Sequence, residues 1–128
     1  MSILVATDGT PQGEKIVRFA IDLAKCRKTA LIVLHIIRSK RGVDNEKIIK
    51  DGMLLLEKIK DVATSYGVTA TTMLESGVVY EMILDKAREN NAEVIVVGTS
   101  GKSQETQTVG STSDYIVHNA RCTVVLVK

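Results

Sequence analysis

The residues best suited to chemistry in this 128-residue chain lie in one polar stretch, Gly98-Thr99-Ser100-Gly101-Lys102-Ser103-Gln104-Glu105-Thr106-Gln107-Thr108-Val109-Gly110-Ser111-Thr112-Ser113. Most connections in α/β domains need only about 2–6 residues, so a run of this length calls for a reason. Gly98 and Gly101 would let the backbone come close to a ligand, and Gly110-Ser111-Thr112-Ser113 would open a helix whose unpaired N–H groups attract anions. Hydroxyls at Ser111, Thr112 and Ser113 add donors for phosphate oxygens. The same residue types also suit a hydroxyl-rich surface loop ahead of a capped helix. Gly101-Lys102-Ser103 matches the end of the phosphate loop GxxxxGK[ST], but that motif needs glycine at position 96, where the chain has Val96. Lys102 is then either a phosphate contact or a solvated loop lysine.

Asp8, in Val5-Ala6-Thr7-Asp8-Gly9-Thr10, is the second candidate. A carboxylate at the end of an opening strand can accept from a ribose hydroxyl or a base amine, or hold Mg²⁺ through water. It can equally organise the turn into the first helix. Arg38-Ser39-Lys40-Arg41 is the densest basic cluster and reads first as a solvated face. His35 and His118 have no partner at metal-ligand spacing, and Cys26 and Cys122 lack a CxxC context, so structural imidazoles and reduced thiols are expected. No nucleophile–base–orienter set of the kind acyl transfer needs and no paired carboxylates stand out.

The elements that must position these residues alternate from end to end. Ile3–Ala6, Ala30–Ile37 and Val94–Val97 are near-continuous apolar runs, as in parallel strands covered on both faces; Val68–Leu74, more polar, suits an edge, and Thr123–Val127 closes the set. Ile16, Phe19, Ala20, Leu23 and Ala24 form one helical face behind a Thr10-Pro11 start. Asp44–Tyr66 carries Ile48, Leu55, Ile59, Val62 and Tyr66 at helical spacing before Gly67, Val79–Asn90 places Val79, Met82, Ile83 and Ala87 on one side, and Ser111–Asn119 makes a short last helix. The expected fold is a single open doubly wound five-stranded parallel α/β sheet over residues 1–128, strand order 3-2-1-4-5, with helices on both faces. Ligands of such sheets sit beyond the carboxyl ends of the strands where the order reverses, beside Asp8 and Gly98.

Composition narrows the function. A net charge of +2 gives no global field for nucleic acid or anionic membrane, four aromatic side chains leave little for base stacking, and no apolar run approaches the ~20 residues of a membrane span. A cytoplasmic protein without nucleic-acid or membrane partners is expected.

Taken together, Ile3-Leu4-Val5-Ala6-Thr7-Asp8-Gly9-Thr10, Leu34-His35-Ile36, Ala92-Glu93-Val94-Ile95-Val96-Val97-Gly98-Thr99-Ser100-Gly101, Gly110-Ser111 and Cys122-Thr123-Val124-Val125-Leu126-Val127 resemble the universal stress protein family from end to end. ATP-binding members carry G-x2-G-x9-G-[ST]; here Gly98-x2-Gly101 and Gly110-Ser111 are intact, with eight residues between Gly101 and Gly110 instead of nine. The resemblance implies ATP or a related adenine nucleotide, with or without Mg²⁺, and at most slow hydrolysis of it. Ala6, Thr7 and Asp8 would line the adenosine side, and Ile36 would contact the base. Val97, Gly98 and Gly101 would border the ribose and phosphates, and Gly110, Ser111, Thr112 and Ser113 would cradle the phosphates. It also implies a homodimer through Thr123–Val127, acting in stress response through nucleotide state or partner choice. The shortened loop motivates the alternative, a dimeric interaction module of the same fold that binds no nucleotide.

Overall fold

The computed structural model describes residues 2–37, 45–99 and 111–128. In chain order the elements are β1 (Ser2–Thr7), α1 (Pro11–Arg27), β2 (Ala30–Ile37), α2 (Asn45–Ser65), β3 (Ala70–Ser76), α3 (Val79–Glu89), β4 (Ala92–Gly98), α4 (Ser111–Asn119) and β5 (Thr123–Val127). All pairings are parallel, in the order β3-β2-β1-β4-β5. The near-continuous apolar runs have the reason expected of them: side chains alternate between two helix-covered faces. Ile3, Val5, Leu31, Val33, Val94 and Val96 pack beneath α1 and α2, while Leu4, Ile32, Leu34, Ile95 and Val97 pack with Ile83 of α3 and Ile116 of α4.

Local chemistry sets the helix ends. Thr10 is the N-cap of α1, its hydroxyl accepting from Gly13 N at 3.1 Å, and Pro11 supplies a first-turn residue whose missing N–H costs nothing there. The same helix closes on Lys28 in the left-handed region at φ 54°. In α1 the buried line is Gly13, Ile16, Val17, Ala20, Ile21 and Ala24, so Phe19, expected on the inner face, is instead 43% exposed.

In α2 the fully buried residues are Gly52, Leu56 and Ala63, with Ile48, Leu55, Ile59 and Val62 half-buried beside them and Tyr66 exposed. Small residues bring this helix close to the sheet: a Cβ at Gly52 would lie 3.0 Å from Leu74 Cδ1 and 3.1 Å from His35 Cδ2. β3 begins two residues later than the apolar run that announces it. Val68 donates its N–H to Ala63 O at 2.9 Å and is buried against the end of α2, after Gly67 turns the chain at φ +79°. Its apolarity plugs a helix end. The strand then runs on through polar Glu75 and Ser76, which an edge with one neighbour tolerates.

Candidate functional site

The strand order reverses between β1 and β4, and the chain leaves their carboxyl ends in opposite directions, opening a crevice there. Asp8 stands at the end of β1. Its Oδ1 accepts from Thr10 N at 2.9 Å and from Thr10 Oγ1 at 2.6 Å, while Thr10 Oγ1 in turn receives Gly13 N. The carboxylate therefore organises the turn, and Oδ2 has no hydrogen bond among the described residues. Of the two readings of Asp8 from the sequence, the turn-organising one is what its hydrogen bonds show.

Thr7 is oriented away from the crevice. Its Oγ1 accepts from Gly9 N at 3.3 Å on the α1 side, and its carbonyl accepts the Nδ1–H of His35 at 2.8 Å. This contact fixes the His35 tautomer and ties β2 to the end of β1, a structural role. Gly13, which sequence reasoning passed over, is what lets α1 start so close to this turn. A Cβ there would lie 2.7 Å from Asp8 Oδ1 and 2.9 Å from Thr7 Oγ1.

The apolar floor follows from strand alternation. Leu4 and Leu34 are fully buried, and two residues further along the same face Ala6 and Ile36 are only half-buried, with Val97 of β4 buried beside them. Across the crevice, Ser113 is buried in the first turn of α4 and donates its hydroxyl to Gly98 O. That hydroxyl, expected to be available to phosphate, is thus used to hold α4 against the end of β4. The backbone N–H groups of Ser111, Thr112 and Ser113 belong to the first helical turn, where no helical acceptor exists. At Gly98 a Cβ would meet Ile16 Cδ1 at 2.5 Å, so a side chain there requires the end of Ile16 to turn aside. Gly101 and Gly110, with Lys102 and Arg38-Ser39-Lys40-Arg41, lie outside the described residues.

Perturbed ionisation lies elsewhere. Lys86, at the β3–α3 edge, is held above its ordinary pKa chiefly by its hydrogen bond to Glu89 at 3.1 Å, with Glu75 at 3.4 Å adding to it. Burial pushes the Cys122 thiol up. Among the described residues no His, Cys, Asp and Glu cluster can hold a metal ion, and no helix is long and apolar enough to cross a membrane. Cys26 and Cys122 are unbridged.

Comparison with known proteins agrees with this architecture. The universal stress protein family model matches residues 1–128. A putative universal stress protein of Staphylococcus aureus (strain USA300) is 35% identical over 138 residues, covering 99% of this chain and 83% of its own length. The universal stress protein of Archaeoglobus fulgidus in complex with dAMP superposes with a TM-score of 0.78 at 24% identity, covering 100% of this chain and 98% of the other. A universal stress protein in complex with cAMP superposes with a TM-score of 0.81 at 20% identity, covering 100% and 97%. With the family pattern matched along its whole length and laid out on the same fold, the chain belongs to the universal stress protein family.

Proposed function

We propose that the crevice between β1 and β4 binds an adenine nucleotide, ATP first among them. The observation that carries this reading is the incompletely covered apolar floor of Ala6 and Ile36, set between a carboxylate and a helix start. The base rests on Ala6, Ile36 and Val97, a ribose hydroxyl donates to Asp8, and the phosphates meet the N–H groups of Ser111, Thr112 and Ser113. Gly101 and Gly110 complete the phosphate contacts in this reading, and Mg²⁺ accompanies the triphosphate. The related complexes with dAMP and cAMP support the ligand class. The reading is one of binding, with at most slow hydrolysis of the bound nucleotide. The protein acts in the cytoplasm in stress response, through nucleotide state and a homodimer that pairs the outer edge of β5, which has one strand neighbour.

Calorimetric titration with ATP, AMP and cAMP, with and without Mg²⁺, and mass spectrometry of ligand retained on purification test it. Saturable binding is expected; none up to millimolar nucleotide rejects the reading. A Val125→Lys variant is expected to sediment as a monomer where the parent is a dimer.

One observation favours a second reading, a dimeric interaction module without nucleotide: Asp8 Oδ1 and the Ser113 hydroxyl are both engaged within the protein. The two separate by thermal melting. A ligand at a hundred times its Kd stabilises the native state by about 2.7 kcal/mol, which for a domain of this size raises Tm by roughly 10 °C. No ATP-dependent rise favours the module.

A further inference from the structure

A second opening lies behind the β1–α1 turn, on the opposite side from the nucleotide crevice. It is a cavity of about 240 Å³ between α1 and α2, closed at one end by Thr7, Gly9 and Thr10. Val17 and Ile21 line it from α1, and Leu55, Ile59 and Val62 line it from α2. Val17 and Ile21 are almost fully buried and form the floor, with Ile59 and Val62 packed against the same core, while Leu55, Ile59 and Val62 stay half-buried and leave apolar surface uncovered above it. That uncovered α2 surface forfeits dispersion contacts, and it offers water few of the two to four polar partners each molecule needs. An alkyl chain recovers those contacts.

The mouth is cationic. Arg18 and Lys58 flank it against the single acid Glu14. Arg18 is held in place by donating Nη1 to the Tyr66 hydroxyl at 2.7 Å with its guanidinium 5.6 Å from the ring centroid, which leaves other donors of its fork available. Lys58 has no ion pair among the described residues. The volume is below the roughly 300–1,000 Å³ of sites for drug-sized ligands, so a nucleotide is too large. At roughly 30 Å³ per water-sized group it holds about six to eight heavy atoms.

We propose that this cavity is a binding site for a short unbranched aliphatic carboxylate, its tail between α1 and α2 and its carboxylate at Lys58 and Arg18. The proposal stands independently of the nucleotide reading, because no residue it needs for affinity belongs to the crevice floor.

Methyl-resolved NMR of the full chain, titrated separately with octanoate, octanol and octylammonium, tests it. Octanoate is expected to give saturable shifts at the methyls of Val17, Ile21, Leu55, Ile59 and Val62, and octylammonium to bind at least tenfold more weakly. Lys58→Gln, an exposed substitution, should weaken octanoate at least threefold and leave octanol unchanged. Absence of saturable shifts, equal binding of octylammonium, an unaltered Lys58→Gln affinity, or shifts at Ile49, Met53 and Leu54 on the outer face of α2 instead would each overturn the assignment.

Discussion

Replacing Gly13 by alanine separates the role of Asp8 in folding from the role in nucleotide binding proposed for it. The new Cβ would lie 2.7 Å from Asp8 Oδ1 and 2.9 Å from Thr7 Oγ1, both closer than a Cβ tolerates, so both must give. Thr7 is buried, stiff at χ1 and accepts from Gly9 N, so it shifts only slightly, whereas the exposed Asp8 carboxylate rotates away. It gives up the bonds from Thr10 N and Thr10 Oγ1, at a cost of roughly 1–2 kcal/mol together once water's replacement of an exposed acceptor's partners is counted. Alanine's advantage over glycine within a helix returns up to about 1 kcal/mol. With about 1 kcal/mol for displacing buried Thr7, the net loss of stability is about 1–3 kcal/mol, read from urea unfolding of the variant against the parent. Nucleotide binding loses a hydrogen bond to a charged acceptor, worth about 1.5–3 kcal/mol, or roughly ten- to a hundredfold in Kd by calorimetry. An affinity within threefold of the parent, in a variant that remains folded at the assay temperature, would refute the assignment of Asp8 to the ligand. A stability loss above about 3 kcal/mol would instead refute the premise that Asp8 is the group that moves.

Three further substitutions and reactions probe the frame. Gly98→Ala brings a Cβ to 2.5 Å from Ile16 Cδ1, the terminal methyl of a side chain that can turn aside, and is expected to cost no more than about 1 kcal/mol of unfolding free energy in denaturant titration. Lys28→Gly relieves a left-handed residue at φ 54° that closes α1, and is expected to stabilise by about 1 kcal/mol in the same assay. Alkylation at pH 8 followed by mass spectrometry should label exposed Cys26 well before Cys122, which is partly buried and whose thiol burial pushes up.

Strand order and the two-layer cover were legible because both are carried by long-range averages. Ile3–Ala6, Ala30–Ile37 and Val94–Val97 are apolar on consecutive residues, which only a sheet buried on both faces requires, and right-handed crossovers then leave few orders to choose from. Boundaries were less legible where one property serves two ends. Val68 is apolar because it seals the end of α2, and Ser76 is polar although it pairs with Ile37. The inner face of α2 was misread for a related reason: Gly52 and Ala63 carry too little side chain to register as hydrophobic, yet their smallness seats the helix on the sheet.

The candidate site shows the same division. Asp8 and Gly98 were legible as positions at a switch point, since topology alone brings the ends of β1 and β4 together. What each side chain is bonded to was not, because that depends on distances of a few tenths of an ångström between segments far apart in sequence. Ser113 looks like its neighbours Ser111 and Thr112 in the sequence, and only its burial against Gly98 O, fifteen residues earlier, separates its hydroxyl from theirs. Glycine is the residue most readily misjudged here. Gly13, Gly52 and Gly98 are absent from the positive-φ positions of the chain and need no special backbone conformation. What they supply is missing volume: one lets α1 begin against Asp8, one seats α2 on His35, and one lets the end of β4 pass Ile16. The crevice therefore keeps its shape by close approach, and a single methyl at Gly13 acts on it more directly than the loss of a hydroxyl at its rim.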